Sequence, residues 1–328
     1  MRIFITGASG YLGARISKFF ADRGDRVFAL CHSAVPGDKN WVSAMEEVIV
    51  GDVRDESLMR QVAEKNVDVI IHLASLDRAQ SNASPALVAS INIAPTWSLL
   101  DIFSKQKLKQ FVYFSTVHVY GVPDALGGEA ITEDREADGD DAYALTHAIS
   151  EKICGHYAKK TDVKCAILRL SNSYGAPMVP NANCWQLAVN SLCYSAFNKK
   201  TIELSADGSA MRDFIHGNDV CRAVGAIVDR PASVSEGKKA DVFQVSSGVT
   251  TTMLELAGMV SGEYEKRYGE KIPVVTASGP CNDFAAFKDR KRFTISNAKL
   301  RSIGFAPEYD LATGISDLFS FLERNAKA

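Results

Sequence analysis

A doubly wound α/β fold, a parallel sheet covered by helices on both faces, is predicted by three features of this 328-residue sequence. Short apolar runs alternate with amphipathic helical stretches through the first half. Runs such as Asp68–Leu73 (DVIIHL) are apolar almost without a break, as strands buried on both faces require. A glycine-rich turn from Gly7 to Gly13 joins the first run to the first helix. Parallel strands need crossover connections, and right-handed βαβ units are the ones that chain chirality favours.

Arg2–Thr6 is the first strand, and a helical pattern follows from about Leu12 to Arg23. Arg26–Cys31 (RVFALC) is the second strand and Glu46–Val50 the third, with a helix from about Glu56 to Lys65. After the strand at Asp68–Leu73, Leu87–Lys105 reads as one long helix in spite of Pro95. Gln110–Ser115 (QFVYFS) is a further strand, Ala142–Lys160 a helix capped by Asp140 or Asp141, and Lys164–Leu170 a strand. Beyond Ser171 the alternation loosens. Tyr174–Asn183, with Gly175, Pro177 and Pro180, reads as an irregular loop; Asp241–Ser246 is a returning strand, and a helix starts at Thr252. The predicted division is a doubly wound domain over 1–175 plus about 212–248, with a smaller, mostly helical C-terminal region over about 176–211 and 249–328. Substrate groups usually sit on such a mounted region.

Composition excludes several classes. Apolar residues at 46% and charged residues at 23% rule out wholesale disorder. With 37 Lys+Arg against 39 Asp+Glu and no long basic run, there is no electrostatic footprint for nucleic acid or an anionic membrane. A small-molecule partner is expected. No run approaches the roughly 18 apolar residues of a membrane span, and the N-terminal apolar stretch ends at Gly7, too short for a signal-peptide core. The seven cysteines (Cys31, Cys154, Cys165, Cys184, Cys193, Cys221, Cys281) are scattered without a CxxC pair. Neither a metal site nor a disulfide framework is expected, and a reduced cytoplasmic location is.

Thr6-Gly7-Ala8-Ser9-Gly10-Tyr11-Leu12-Gly13 is GxxGxxG between a strand and a helix, the arrangement of a Rossmann-like dinucleotide site. Gly7 permits the tight turn, Gly10 lets backbone approach a pyrophosphate, and Gly13 brings helix and strand close. The helix start supplies N–H groups and a positive dipole end. Gly7, Ser9, Gly10, Tyr11, Leu12 and Gly13 are therefore expected against the cofactor. An acid ending the second strand would hold the adenosine ribose of NAD; here the stretch is Leu30-Cys31-His32-Ser33. His32, Ser33 and Arg15 are candidates to meet a 2′-phosphate, so NADP is favoured over NAD. The alternative is that they are ordinary surface residues.

Several further blocks resemble the extended short-chain dehydrogenase/reductase superfamily, in its NAD(P)-dependent epimerase/dehydratase branch acting on nucleotide sugars. They are Gly51-Asp52-Val53-Arg54-Asp55, His72-Leu73-Ala74-Ser75, Phe114-Ser-Thr116-Val-His118-Val-Tyr-Gly121, Leu168-Arg-Leu-Ser-Asn172-Ser-Tyr-Gly175, and Asp207-Gly208 with Arg212-Asp213-Phe214-Ile215-His216. Asn92 stands where the family has an Asn in its long helix. The resemblance places Asp52 and Val53 near an adenine, Leu73, Ala74, Ser75 and Asn92 beside the cofactor, and Thr116 and Tyr143 at the reacting sugar oxygen. It places Asn172 and Arg212 on the nucleotide diphosphate, where an Arg fork suits phosphate oxygens; an ion pair with an acid such as Asp213 is the alternative for Arg212. It also implies a homodimer through a four-helix interface, built from Leu87–Lys105 and Ala142–Lys160.

The pattern breaks at one place. The family signature YxxxK reads Tyr143-Ala-Leu-Thr-His147 here. Positions four apart share a helix face, so His147 points as the lysine would. With an ordinary pKa of about 6.5 it supplies no permanent charge to depress the tyrosine pKa. Three readings compete: His147 is a weaker working partner of Tyr143, another group such as His118 carries the proton chemistry, or catalysis is lost and the fold binds a dinucleotide or nucleotide sugar. Val117 and His118 stand where many dehydratases of the branch carry an Asp-Glu pair, which argues against dehydration by that route. His118 is otherwise a hydrogen-bonded pocket residue. The expected chemistry is hydride transfer at a sugar carbon, C4 above others, as a 4-ketoreductase or an epimerase. Arg290, Lys291 and Arg292 either reach a diphosphate or form a solvated basic run.

Overall fold

The computed structural model describes residues 1–121, 128–179, 182–230 and 240–326; Pro180 of the predicted loop lies outside them. Seven strands form one sheet in the order Ala240–Val245, Lys164–Leu170, Gln110–Thr116, Val69–His72, Arg2–Thr6, Arg26–Cys31, Glu47–Val50. Every neighbouring pair is parallel. The α/β class and the seven predicted strands hold to within one or two residues, the precision of hydrogen-bond-based boundaries.

Side chains alternate faces along each strand, and both faces are covered. Ile3, Ile5, Val69, Ile71 and Val112 pack with Ala14, Ile16, Phe20, Val220 and Val224 of the helices Tyr11–Asp22 and Gly217–Val228. Phe4, Ile70, Phe111 and Tyr113 pack with Met59, Leu99, Phe103, Ile153 and Cys154 on the opposite face. The chain runs outward from the central first strand to Glu47–Val50, then returns past it to Val69–His72 and beyond. The turn after Arg2–Thr6 and the loop after Val69–His72 therefore diverge at the carboxyl edge of the sheet, where a crevice must open.

The stretch predicted as one helix over Leu87–Lys105 is a composite. Pro85–Val88 and Ala94–Phe103 are α-helical, and Ala89–Ile93 between them is a π turn. Pro95 has no N–H and its ring would strike the carbonyl four residues back, so the widened turn before it relieves that clash. Pro85–Phe103 is also long and apolar enough to cross a membrane by length and composition, with mean hydropathy 1.4, contrary to the expectation that no segment is. Its inner residues Leu99, Leu100, Ile102 and Phe103 fill the core against the sheet, which accounts for the apolarity.

A third core gathers Leu192 and Ala196, Leu256 and Val260, and Ile315 and Phe319 from the helices Ala188–Lys199, Met253–Tyr268 and Leu311–Ala326. Helices are the longest elements of the C-terminal region, and two small three-stranded sheets border it, one of them made of Asn172–Tyr174, Met211–His216 and Thr250–Thr252. All seven cysteines are free thiols.

One buried ion pair ties three elements together. Arg169 and Glu151 are 5% and 8% exposed. Arg169 donates Nε to Glu151 Oε1 at 3.0 Å and Nη2 to Oε2 at 2.7 Å. Ser115 donates to the same carboxylate, and Nη1 of Arg169 reaches Tyr120 Oη at 2.9 Å. Helix 142–160 is thereby fixed to two neighbouring strands. Glu151→Leu should lower the unfolding free energy by about 3–5 kcal/mol by stranding the guanidinium, and Arg169→Met in the same chain should restore most of the loss. Urea unfolding of the single and double variants measures both, and additive losses would show that the pair is not the coupling.

Candidate active site

The turn that opens the crevice is built for close backbone approach. Gly7 has φ +68°, and a Cβ there would stand 3.0 Å from the Ala74 amide nitrogen. A Cβ on Gly13 would lie 2.0 Å from the Gly7 carbonyl oxygen, so only glycine lets helix 11–22 sit this near the strand end. Gly10 is the N-cap of that helix and no side chain caps its first turn. The first N–H groups are left for something else to bind.

Three hollows follow one another along the sheet edge. The first, of about 340 Å³, is lined by Gly7, Ser9, Gly10, His32, Asp52, Val53, Arg54, Leu73, Ala74 and Ser75. The second, of about 360 Å³, shares Gly7, Gly10, Leu73 and Ser75 with it and adds Tyr11, Leu12, Gly13, Thr116, His118, Tyr143, His147 and Asn172. The third, of about 610 Å³, shares His118, Tyr143 and Asn172 with the second and extends past Arg78 and Arg212 to Leu204 and Met253. A glycine-walled end, a middle holding Thr116, Tyr143 and His147, and an arginine-bearing end thus form one trough.

Thr116 and Tyr143 meet because a strand end and a helix start converge there. Thr116 closes Gln110–Thr116, and helix 142–160 begins with Asp141 as its cap, accepting from the Ala144 amide at 2.8 Å. Burial raises the Tyr143 pKa above its ordinary value, and the Thr116 hydroxyl beside it pulls it part of the way back. The His147 ring lies edge-on to Tyr143 with centroids 4.6 Å apart. Its Nδ1 is 2.8 Å from the Tyr113 hydroxyl, and its buried Nε2 has no hydrogen-bond partner. Burial pushes its pKa down to about 4, and that of His118 likewise to about 4, so both rings are neutral at pH 7. His118 donates its backbone N–H to Thr116 Oγ1 at 3.2 Å, and its ring lies 6.1 Å from that of Tyr143.

Asn172 and Arg212 line the arginine-bearing end from the paired strands 172–174 and 211–216. Asp213 is not the partner of Arg212. Its buried carboxylate accepts from Ser171 Oγ at 2.6 Å, Ser247 Oγ at 2.8 Å and the amides of Ser247, Gly248 and Val249. Successive strand residues face opposite ways, so Arg212 turns toward the trough.

Other expected residues stand elsewhere. Arg15 is buried and donates to the Asn218 side chain and the Ala176 carbonyl, so it is not available to a 2′-phosphate. Ser33 does not line the trough; it is exposed and bonds His32 Nδ1 at 3.0 Å. Asn92 does not line it either. It sits buried in the π turn, accepting from the Leu76 amide at 2.9 Å and donating to Thr146 Oγ1 at 3.2 Å, which holds the wall rather than a ligand. Within the basic run, Arg292 is paired with Glu255 and Arg290 donates to the Ser209 carbonyl, and neither lines the three hollows. Sequence reasoning missed Arg54, Leu76, Asp77 and Leu187 as lining residues. Arg54 lay within the quoted Gly51–Asp55 block and pairs with Asp52, holding that carboxyl down at about 2; the others carry no motif.

Comparison with known proteins agrees with this architecture. A family model described as the NAD dependent epimerase/dehydratase family matches residues 3–245. A putative UDP-glucose 4-epimerase of Methanocaldococcus jannaschii is 25% identical over 325 residues, covering 98% of this chain and 99% of its own. The crystal structure of UDP-glucose 4-epimerase with UDP-glucose from Thermotoga maritima matches with TM-score 0.81 at 20% identity, covering 99% of this chain and all of that one. UDP-glucuronic acid 4-epimerase from Bacillus cereus, in complex with UDP-glucuronic acid and NAD, matches with TM-score 0.79 at 20% identity over 99% of this chain and 100% of its own. By its sequence along three quarters of its length, and by its fold, this chain belongs to the NAD-dependent epimerase/dehydratase family.

Proposed function

We propose that the protein is a nucleotide-sugar 4-epimerase working by reversible oxidation and reduction of a sugar carbinol carbon. The observation that carries this is the convergence of Thr116 and Tyr143 midway along a trough with a glycine cradle at one end and Asn172 and Arg212 at the other. The cradle fits a dinucleotide, since the uncapped helix start and the tight Gly7–Gly13 contact leave backbone N–H groups facing the hollow. Gly7, Ser9, Gly10, Leu12, Asp52, Val53 and Leu73–Ser75 would hold it. When bound, it supplies a nicotinamide ring that accepts and returns a hydride. Tyr143 moves the proton on the sugar oxygen, Thr116 shares that oxygen's hydrogen bonding, and Arg212 with Asn172 anchors the diphosphate. Residues 1–175 with about 212–248 hold the dinucleotide and bring Thr116, Tyr143, Asn172 and Arg212 to the sugar nucleotide, over which about 176–211 with 249–328 close.

A second reading, an NADP-linked 4-ketoreductase, is favoured by the lack of an acid after Arg26–Cys31, where His32 and Arg54 line the first hollow instead. Mass spectrometry of nucleotides released on denaturing freshly purified protein separates the two. Retained NAD(H) supports an epimerase that recycles its cofactor. No retained dinucleotide, with NADPH binding on titration, supports the reductase. Failure to bind either leaves a nucleotide-sugar binding protein.

The catalytic assignment has its own test. Tyr143→Phe should abolish turnover with cofactor affinity kept, and His147→Ala should cost at least about tenfold in rate. Full activity in Tyr143→Phe would sink the assignment. Neutral burial of histidines also sets a pH response. Burial lowers the pKa of His72 to about 3 and of His147 to about 4, while the unfolded chain protonates near 6.5. Stability is therefore full above pH 6.5 and falls as pH drops, by roughly 1 kcal/mol per ring at pH 5.5. Urea midpoints measured from pH 7.5 to 5.5 should decline; a flat profile would mean the rings are protonated in the native state. A homodimer across the helices holding Leu87, Trp97 and Leu145, which are 46%, 50% and 54% exposed, completes the proposal. Trp97→Asp should then shift sedimentation velocity from dimer to monomer, and an unchanged dimer would place the contact elsewhere.

A further inference from the structure

The face of helix 142–160 that carries Tyr143 meets the strand Gln110–Thr116 in matched steps. Tyr113 and Ser115, two apart on the strand, reach His147 and Glu151, four apart on the helix. Two strand residues and four helical residues both advance by about 6 Å, so the contacts repeat in register. The lower contact is the ion-pair site. The upper contact joins the His147 ring to a group that the reaction scheme leaves unexplained, the Tyr113 hydroxyl.

Both residues are buried, at 3% and 2% exposure. A neutral imidazole carries its proton on one nitrogen only, so the partner of Nδ1 decides what Nε2 offers. Tyr113 stays protonated, because burial holds its pKa well above the ordinary value. Ser150, which also interacts with Tyr113, gives its own proton to the Asn92 carbonyl at 2.9 Å and has none to offer. Of the acceptors at the Tyr113 hydroxyl, an imidazole nitrogen is far more basic than a serine oxygen. The Tyr113 proton therefore goes to Nδ1. Nε2 must then carry the ring's own hydrogen, and it is the nitrogen left without a partner on a side chain that lines the trough. A buried donor without an acceptor is costly and calls for one from a ligand.

We propose that Tyr113 is a positioning residue: its hydroxyl donates to His147 Nδ1 and fixes the tautomer in which Nε2–H is a neutral donor presented to a ribose hydroxyl of the bound dinucleotide. This rests on the dinucleotide reading of the trough. The Tyr113–His147 couple supplies direction and a hydrogen bond in place of a fixed charge, and the proton it offers is set by the strand rather than by solvent.

Two-bond proton–nitrogen correlation spectra of the protein, labelled with nitrogen-15 in histidine, read the tautomer directly, with His147→Gln assigning the signal. The free protein should show His147 protonated on Nε2. Tyr113→Phe should lose that single tautomer and weaken NAD(H) binding by about five- to tenfold, the worth of one hydrogen bond, while still unfolding in one cooperative transition. A glutamine amide places a neutral N–H where Nε2 stands and has no tautomer to fix. His147→Gln should therefore keep affinity within about threefold, and adding Tyr113→Phe to it should change nothing more. A wild-type ring protonated on Nδ1, or a Tyr113→Phe variant with the tautomer and affinity of the parent, overturns the proposal. Titration of the wild type with NAD(H) and NADP(H) reports separately on the underlying reading. If neither binds, the ribose acceptor falls with that reading, and the spectrum still decides whether Tyr113 orients the ring.

Discussion

The position of the whole site depends on the buried Arg169–Glu151 ion pair. It joins the carboxyl half of the strand 164–170 to the middle of helix 142–160 and collects Ser115 from the strand between. Two turns up the same helix face stands Tyr143, with His147 halfway, so the pair sets the height at which the tyrosine meets the end of Gln110–Thr116. Burying two charges is expensive, and an apolar pair in their place would keep most of the stability. What a bidentate fork adds is directional: it admits one register of helix against sheet.

Much of this was legible in the sequence, for identifiable reasons. Strands buried on both faces write themselves as unbroken apolar runs, and the acidic cap of helix 142–160 marks where it starts. The glycines were legible because their need is local: a positive φ at Gly7 and a backbone contact at Gly13 leave one residue type possible. The C-terminal region was not. Strands of two or three residues such as Ile202–Glu203 and Val274–Thr276 are too short to carry a period, and they form only because distant segments align them. Arg15 was misread for a related reason. Its surface-like position on an amphipathic helix is covered by residues 176 and 218, whose arrival no local pattern announces. The π turn before Pro95 was hidden because the apolar spacing of a helix survives one widened turn.

The site differs from the lysine-bearing pattern that it resembles in how it is charged. Among the described residues no lysine lines the three hollows, and the two histidines of the middle, His118 and His147, are neutral at pH 7. Positive charge is confined to Arg54 at one end and Arg78 and Arg212 at the other. A phenol in such surroundings keeps its proton at pH 7, because burial disfavours the phenolate. The Thr116 hydroxyl and, more weakly, the charge of Arg78 draw the Tyr143 pKa part of the way back down.

The neighbours Arg212 and Asp213 divide one short strand between two incompatible surroundings. The carboxylate is wrapped by five donors from Ser171 and the turn 247–249, while the guanidinium faces the trough. Because side chains alternate with a period of two, a shift of the strand by a single residue would drive the guanidinium into that wrapping and expose the carboxylate where the diphosphate is expected. Lengthening or shortening the chain between Gly208 and Asp213 would therefore be more damaging than most substitutions there. Divergence among relatives along this stretch should proceed by exchange of residues at constant length, with insertions accumulating in the loops outside it.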